Sequence, residues 1–374
     1  MRLPRSVRDA DVAGKNVLVR ADLNVPLEDG RIADDTRIRA SLPTLELLLD
    51  RGAAAVRVCS HLGRPRTEED REKYAMAPVA ARLRELLPDE RVHVLENTRF
   101  NPGETSNDEG FARELADGSD LYVDDAFGSA HRAHASTEAV AHLLPAYAGL
   151  LLLDELEHLG RLLGEVERPF VLVSGGAKVE DKLGVLRNLG GRADSVLVGG
   201  KMAEELRVKN PLSFEVELPV DVVGAAEFAA DAEARVCGYD ELPDGWLGLD
   251  IGPEARTRFA ERLAAARTIF WNGPMGVFEW PRFADGTKAV AEAVAANGDA
   301  FSVVGGADSV RALNELGLAD RVSWVSTGGG ASLELLEGRE LPGVAAIPSA
   351  RDDDDVVVGL PAGRRRLRRR RFQP

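Results

Sequence analysis

Short apolar runs alternate with helical patterns along most of the chain. NVLVR (16–20), AAVRVCS (54–60), VHVL (92–95) and DLYVDDAF (120–127) read as buried strands. Between them, SLPTLELLLDRG (41–52) and APVAARLRELLP (77–88) place apolar residues three and four apart, the spacing of one helix face. The second half repeats the scheme with FVLVSGG (170–176), SVLVGG (195–200), EVELPVDVV (215–223), TIFWNGP (268–274), FSVVGGAD (301–308) and VSWVSTGGG (322–330). Helical patterns such as ARTRFAERLAAA (255–266) and GTKAVAEAVAANG (286–298) intervene. Near-continuous apolar strands alternating with helices imply parallel sheets covered on both faces. The pattern LLLLDELEHLGRLLGEVE (150–167) sits midway and predicts a connecting helix. The expected fold is α/β: two doubly wound, Rossmann-like parallel-sheet domains joined by a long helix, with a cleft between them.

In such sheets ligands bind beyond the carboxyl ends of the strands, and the two halves differ there. The first half presents Asp22, Asn24, His61, Arg64, Arg99 and the string GSAHRAH (128–134). Arg20, Arg37, Arg64, Arg99 and Arg132 fall at or near strand ends, and such a set can clamp a small dianion through bidentate hydrogen bonds. The second half presents glycines: Gly175–Gly176, Gly199–Gly200, Gly273, Gly305–Gly306 and Gly328–Gly330. Glycine corners let backbone N–H groups approach phosphate closely, although tight strand-to-helix turns use glycine for their own geometry. Neither G-x-G-x-x-G nor the P-loop string is present.

Only seven lysines stand among the 47 basic residues, and Lys178 and Lys182 share one glycine corner at a helical spacing of four. A lysine is a compact, mobile point charge suited to a moving phosphoryl group. The alternative is a solvated face paired with Glu180 and Asp181. Asp308, after VVGGA, suits a Mg²⁺ that needs few protein carboxylates, or equally a helix cap. His131 and His134 lack the companions of a metal site. A backbone cradle on one domain and a basic clamp on the other suggest phosphoryl transfer by a small-molecule kinase. A nucleotide- or anion-binding regulatory protein is the rival.

Composition narrows this picture a little. A chain of 374 residues, 44% hydrophobic and 29% charged, supports two soluble globular domains. No apolar stretch approaches the roughly 20 residues of a membrane span, and the opening MRLPRSVRDADVAGK is too polar for a secretory signal. Cys59 and Cys237 stand apart, as in a reduced cytosol. A net charge of −15 argues against general nucleic-acid binding. The seven arginines between Arg364 and Arg371 disagree, but such a run after RDDDDVVVGLPAG reads as a disordered, solvated tail.

The strings VRADLNVP, TRIRASLPT, CSHLGRP, LENTRF, DDAFGSAHRAHAS, SGGAKVEDK, VGGKMA, LPVDVV, GWLGLDIGP, WNGPMGVFEW, VVGGAD and VSTGGGASLELLEG follow one another in the order of the phosphoglycerate kinase family, which the chain resembles from about Val19 to Val344. The resemblance implies reversible phosphoryl transfer between 1,3-bisphosphoglycerate and ADP, giving 3-phosphoglycerate and ATP, with Mg²⁺ on the nucleotide. It implies that Asp22, Asn24, Arg37, His61, Arg64, Arg99 and Arg132 hold 3-phosphoglycerate, with Arg37 also facing the transferring group. Lys178 would follow the phosphoryl and Lys182 would hold nucleotide phosphate. Gly199, Gly200 and Gly248 would line the adenosine pocket, with Glu279 on the ribose and Asn272 near the phosphates. Gly176, Gly305, Gly306 and Ser309 complete the nucleotide set, Asp308 holds the metal, and Gly329 and Gly330 bring a helix N-terminus to the phosphoryl. The implied organisation is a 3-phosphoglycerate domain at 1–150 with 336–348 packed back on it, a nucleotide domain at 151–335, and a tail at 349–374. A cytoplasmic monomer is expected, with no membrane and no specific nucleic-acid partner.

The chain departs from the family at Ala307 and Ser309, where glycine and threonine are usual, and in its tail. More consequential is the stretch from Ala203 to Leu218, too short for a further helix that family members carry against the adenine. A weakened nucleotide site, or a regulatory relative with reduced catalysis, is the expectation that follows.

Overall fold

The computed structural model describes residues 3–350; the arginine run and the rest of the tail lie outside the described residues. Strand β1 (Asn16–Ala21) opens the first domain, followed by a small hairpin of β2 (Leu27–Glu28) and β3 (Arg31–Ile32). Then come α1 (Thr36–Asp50), β4 (Ala55–Cys59), α2 (Glu68–Lys73), α3 (Ala77–Leu86) and β5 (Val92–Val94). The domain closes with α4 (Glu109–Ala116), β6 (Leu121–Asp125) and β7 (Ala146–Ala148). Its sheet is parallel in the order β5-β4-β1-β6-β7. The predicted helix at 41–52 starts earlier, at Thr36, and buries Ile38, Leu45, Leu48 and Leu49 along one stripe.

Helix α5 (Leu150–Leu163) leads to the second domain. There follow β8 (Phe170–Ser174), α6 (Leu183–Leu189), β9 (Ser195–Val198), α7 (Lys201–Val208), β10 (Asp221–Ala225), β11 (Ala234–Gly238) and β12 (Leu247–Ile251). After these come α8 (Pro253–Ala265), β13 (Thr268–Asn272), α9 (Asp285–Ala296), β14 (Phe301–Gly305), α10 (Ala307–Glu315) and β15 (Trp324–Val325). Helices α11 (Gly330–Leu336) and α12 (Pro342–Ala345) end the described chain. The second parallel sheet has the order β15-β14-β13-β8-β9.

One sequence expectation is corrected here. EVELPVDVV does not form a single strand of the parallel sheet. Glu217 makes an isolated parallel bridge to Leu197 at the edge of β9. Past Pro219 the chain enters β10, the centre of a separate three-stranded antiparallel sheet, β11-β10-β12. A proline lacks the N–H that a continuing ladder needs.

Helix α5 buries Leu152, Leu156, Leu159 and Leu162 in a core that also takes in Leu18 of the first sheet and Phe270 of the second. Its N-terminus is capped from outside by Asp125, whose Oδ1 accepts the N–H groups of Leu151 at 2.9 Å and Leu152 at 3.4 Å. A carboxyl oxygen there satisfies donors that the helix leaves unpaired. In the same buried stripe Glu155 accepts Trp324 Nε1–H at 3.0 Å and Thr327 N–H at 2.7 Å. Trp324 also stacks on His158, with ring centroids 4.2 Å apart. The last described segment returns to the start of the chain: Gly343 N–H donates to Ala130 O at 2.9 Å, and Arg5 N–H donates to Pro348 O at 2.8 Å.

Candidate active site

Asp22, Asn24, Arg37, His61, Arg64, Arg99 and Arg132 all line one cleft. Gly328, Gly329 and Gly330 face them from the second domain. The reason is topological. Each first-domain residue except Arg37 follows a strand's carboxyl end directly or within a short loop, and Arg37 lies in the first turn of α1. Arg37 Nη1 donates to Asp22 Oδ2, and its Nη2 reaches Thr327 O at 3.4 Å, so one guanidinium touches both domains. A Cβ at Gly328 would lie 2.3 Å from the Phe127 ring, so this corner approaches the first domain more closely than any larger residue permits. Gly329, at φ +54°, then turns the chain into α11.

Arg20 does not join the clamp as its position suggests. It is fully buried beneath the cleft, donating to Ser136 Oγ at 2.8 Å and Ser60 Oγ at 3.0 Å, with Nη2 2.9 Å from His61 Nδ1. A guanidinium only donates. His61 Nδ1 is therefore the acceptor, and its proton sits on Nε2. Burial, with Arg20, Arg99, Arg132 and Arg37 nearby, holds the imidazole well below its usual pKa, so it is neutral. Burial and the neighbouring Arg132 and Arg20 also lower Arg99, to about 10. Arg99 Nη1 donates to Gly63 O at 2.6 Å, and Asn24 Oδ1 accepts Gly63 N–H at 2.8 Å. Asp22 Oδ1 is buried and has no hydrogen-bond partner among the described residues. The cleft thus combines crowded positive charge with one free acceptor, which suits an anion that also carries a hydroxyl.

Lys178 and Lys182 do not line this cleft. Lys178 is exposed, just past the glycine corner that follows β8. Lys182 donates to Asn272 Oδ1; burial lowers its pKa while Asp181 and Asp308 act to raise it. That corner is tightly built: Cβ atoms at Gly175 and Gly273 would fall 2.0 Å from Pro274 O and 2.2 Å from Gly175 O. Ser309 is committed inward, its Oγ accepting Gly273 N–H at 2.6 Å. The N-cap of α10 is Gly306 with no side-chain cap bond, so Asp308 is not a cap. Its exposed carboxylate is in the first turn of α10, whose strand of origin, β14, ends at Gly305.

Gly200 and Gly248 line a small cavity with Ala203, Glu204, Tyr239 and Met275, whereas Gly199 lies outside it. Glu279 is paired with Arg311 at 2.7 Å. Helix α7 stops at Val208, which is 89% exposed, so no further helix among the described residues covers that end. Sequence reasoning missed Tyr74 in the cleft lining, and it offered Ser129 and His131 only as members of the GSAHRAH string.

Two doubly wound domains, one edged with guanidinium groups and the other with glycine corners and lysines, define a two-domain small-molecule kinase. The family model for phosphoglycerate kinase matches residues 7–94, 87–214 and 210–339. The chain belongs to the phosphoglycerate kinase family. It is 52% identical to phosphoglycerate kinase from Rubrobacter xylanophilus, with 92% of this chain and 98% of the relative covered. It is 48% identical to that of Roseiflexus castenholzii, over 92% and 99% respectively. Among solved structures, phosphoglycerate kinase from Coxiella burnetii matches with a TM-score of 0.82 at 37% identity, covering 92% of this chain and 98% of that one. That of Pyrococcus horikoshii matches with a TM-score of 0.78 at 31% identity, over the same shares.

Proposed function

We propose that the chain transfers a phosphoryl group reversibly between 1,3-bisphosphoglycerate and ADP, giving 3-phosphoglycerate and ATP. The observation that carries this reading is the single cleft where seven polar and basic side chains of one domain face the Gly328–Gly330 corner of the other. In the direction of ATP use, a carboxylate oxygen of 3-phosphoglycerate attacks the γ-phosphorus, the bond to the β-phosphate oxygen breaks, and ADP leaves. Arg64, Arg99 and Arg132 hold the anionic substrate, His61 offers Nε2–H, and the free Asp22 Oδ1 accepts the substrate hydroxyl. Arg37 faces the transferring group, with the backbone N–H groups of Gly329 and Gly330 opposite.

Lys178 follows the phosphoryl as charge builds on its equatorial oxygens, and Lys182 and Asn272 hold nucleotide phosphate. Gly176, Gly305 and Gly306 give close backbone approach, Gly199, Gly200 and Gly248 flank the base, and Glu279 is placed for the ribose. Ser309 acts through the Gly273 corner. Asp308, with no hydrogen-bonding partner among the described residues, fits a Mg²⁺ held mainly by phosphates; bound there, the ion would neutralise phosphate charge. The substrates therefore divide between residues 1–150, with 336–348 packed back, and 151–335. Because the two lysines lie outside the cleft lining, transfer requires the domains to close. No helix among the described residues is long and apolar enough to cross a membrane, and we assign the chain to the cytoplasm as a monomer.

A coupled assay with 3-phosphoglycerate and MgATP tests the proposal. Turnover supports it. Nucleotide binding without turnover would favour the regulatory reading, to which the uncovered end of α7 lends weight.

A further inference from the structure

We propose that Glu205, on the shortened helix α7, is a positioning residue for the Lys178 corner; the inference rests on the kinase reading above. The Lys178 side chain is exposed, so its own packing does not fix where the ammonium stands. The backbone on either side is fixed from α7. Met202 N–H donates to Gly176 O at 3.2 Å, and Glu205 Oε2 accepts Val179 N–H at 3.1 Å. Val179 is itself buried, and Glu205 is the acceptor the structure gives its N–H group. A buried N–H without an acceptor is unfavourable, so removing the carboxylate releases the peptide next to Lys178.

The helix is anchored at its other side as well. Gly200 N–H donates to Met275 O at 2.8 Å, and Glu204 Oε1 accepts Gly248 N–H at 3.3 Å. Adjacent carboxylates thus tie one eight-residue helix to the corners on both sides. Met202, Ala203 and Leu206 hold α7 in the core, and these bonds fix its position against the lysine turn. Glu205 touches neither substrate. It sets the origin from which the Lys178 side chain swings, and positional errors of an ångström are costly in transfer chemistry.

The test uses the full chain carrying Glu205→Ala or Glu205→Gln, each alone and combined with Lys178→Ala. It measures kcat, KM for 3-phosphoglycerate and Tm. Glu205→Ala is expected to lower kcat about 10- to 100-fold, with KM for 3-phosphoglycerate unchanged. Glu205→Gln is expected to restore most of the loss, because its amide oxygen accepts the same bond. In the Lys178→Ala background, Glu205→Ala should add no further loss, since both act through one group. Wild-type kcat in Glu205→Ala, an equal loss in both backgrounds, no recovery with Gln, or failure of the Ala variant to fold would each overturn the proposal. Wild-type kcat in Lys178→Ala alone would instead remove the underlying role of Lys178, whatever Glu205 does.

Discussion

His61 takes its state from Arg20, a residue no substrate reaches. The buried guanidinium fixes which imidazole nitrogen carries the proton, and the surrounding arginines keep the ring neutral. The cleft thus holds permanent cations for charge and a neutral donor for direction, and its residues should fail in different ways. A mobile cation that acts as charge shifts contributes more to the transition state than to the ground state. Lys178→Ala is therefore expected to lower kcat by about 10² or more, roughly 2.7 kcal/mol, with 3-phosphoglycerate binding retained. An unchanged kcat with a raised KM for ATP would contradict it. Arg132, by contrast, is proposed to clamp ground and transition states alike. Steady-state kinetics of Arg132→Ala should show a raised KM for 3-phosphoglycerate and a smaller change in kcat. A main effect on KM for ATP would reverse the division between the domains.

Helix α7 is where this chain differs in whole elements. On the proposed nucleotide placement, with Val208 exposed and no helix among the described residues packed beyond it, the base would lack a contact comparable to a buried Leu, worth roughly 1.5 to 3 kcal/mol. That corresponds to about 10- to 100-fold in Kd, so calorimetry should find weak ADP binding, poor discrimination against GDP, and a 3-phosphoglycerate site of ordinary strength. Tight ADP binding with rejection of GDP would mean that Tyr239 and Arg207, stacked 3.8 Å apart beside the small cavity, have rebuilt the wall. The central parallel strands were legible because they are short apolar runs buried on both faces, as β8 and β13 are throughout; the three-residue edge strand β7 carried no such run and was not read. Strand β11 was not, since Arg235 and Val236 are exposed and its pairing with β10 depends on partners distant in sequence. The same contrast holds in the cleft. Residues that follow strand ends were found by position alone, whereas the burial of Arg20 depends on Ser60, Ser136 and Glu104, which no local pattern brings together.

Across the whole molecule, several carboxyl groups have been withdrawn from water. Burial raises Asp124 to about 7, Asp125 to about 8 and Asp250 to about 7. In an unfolded chain each titrates near about 3.9. Between those values the native protein holds protons that the unfolded chain releases. Their contribution therefore favours folding in acid, and it is lost as pH rises from about 4 to about 8. His61, His131 and His134, whose values burial lowers, act in the opposite sense below about pH 6.5. The urea midpoint is therefore expected to fall from about pH 6.5 to about pH 8, and Asp125→Asn should flatten that slope; a midpoint that rises across the interval would refute the account. The aromatic residues have an uneven distribution of their own. All four tryptophans, Trp246, Trp271, Trp280 and Trp324, stand in the second half of the chain. Trp324 rests its indole N–H on Glu155 of the connecting helix and its ring on His158. Tryptophan emission, excited beyond the tyrosine band, is accordingly blind to the first domain, and 3-phosphoglycerate alone should alter it only by disturbing that contact. On the proposed closure, the protein carries its own optical probe at the contact between the connecting helix and the second sheet.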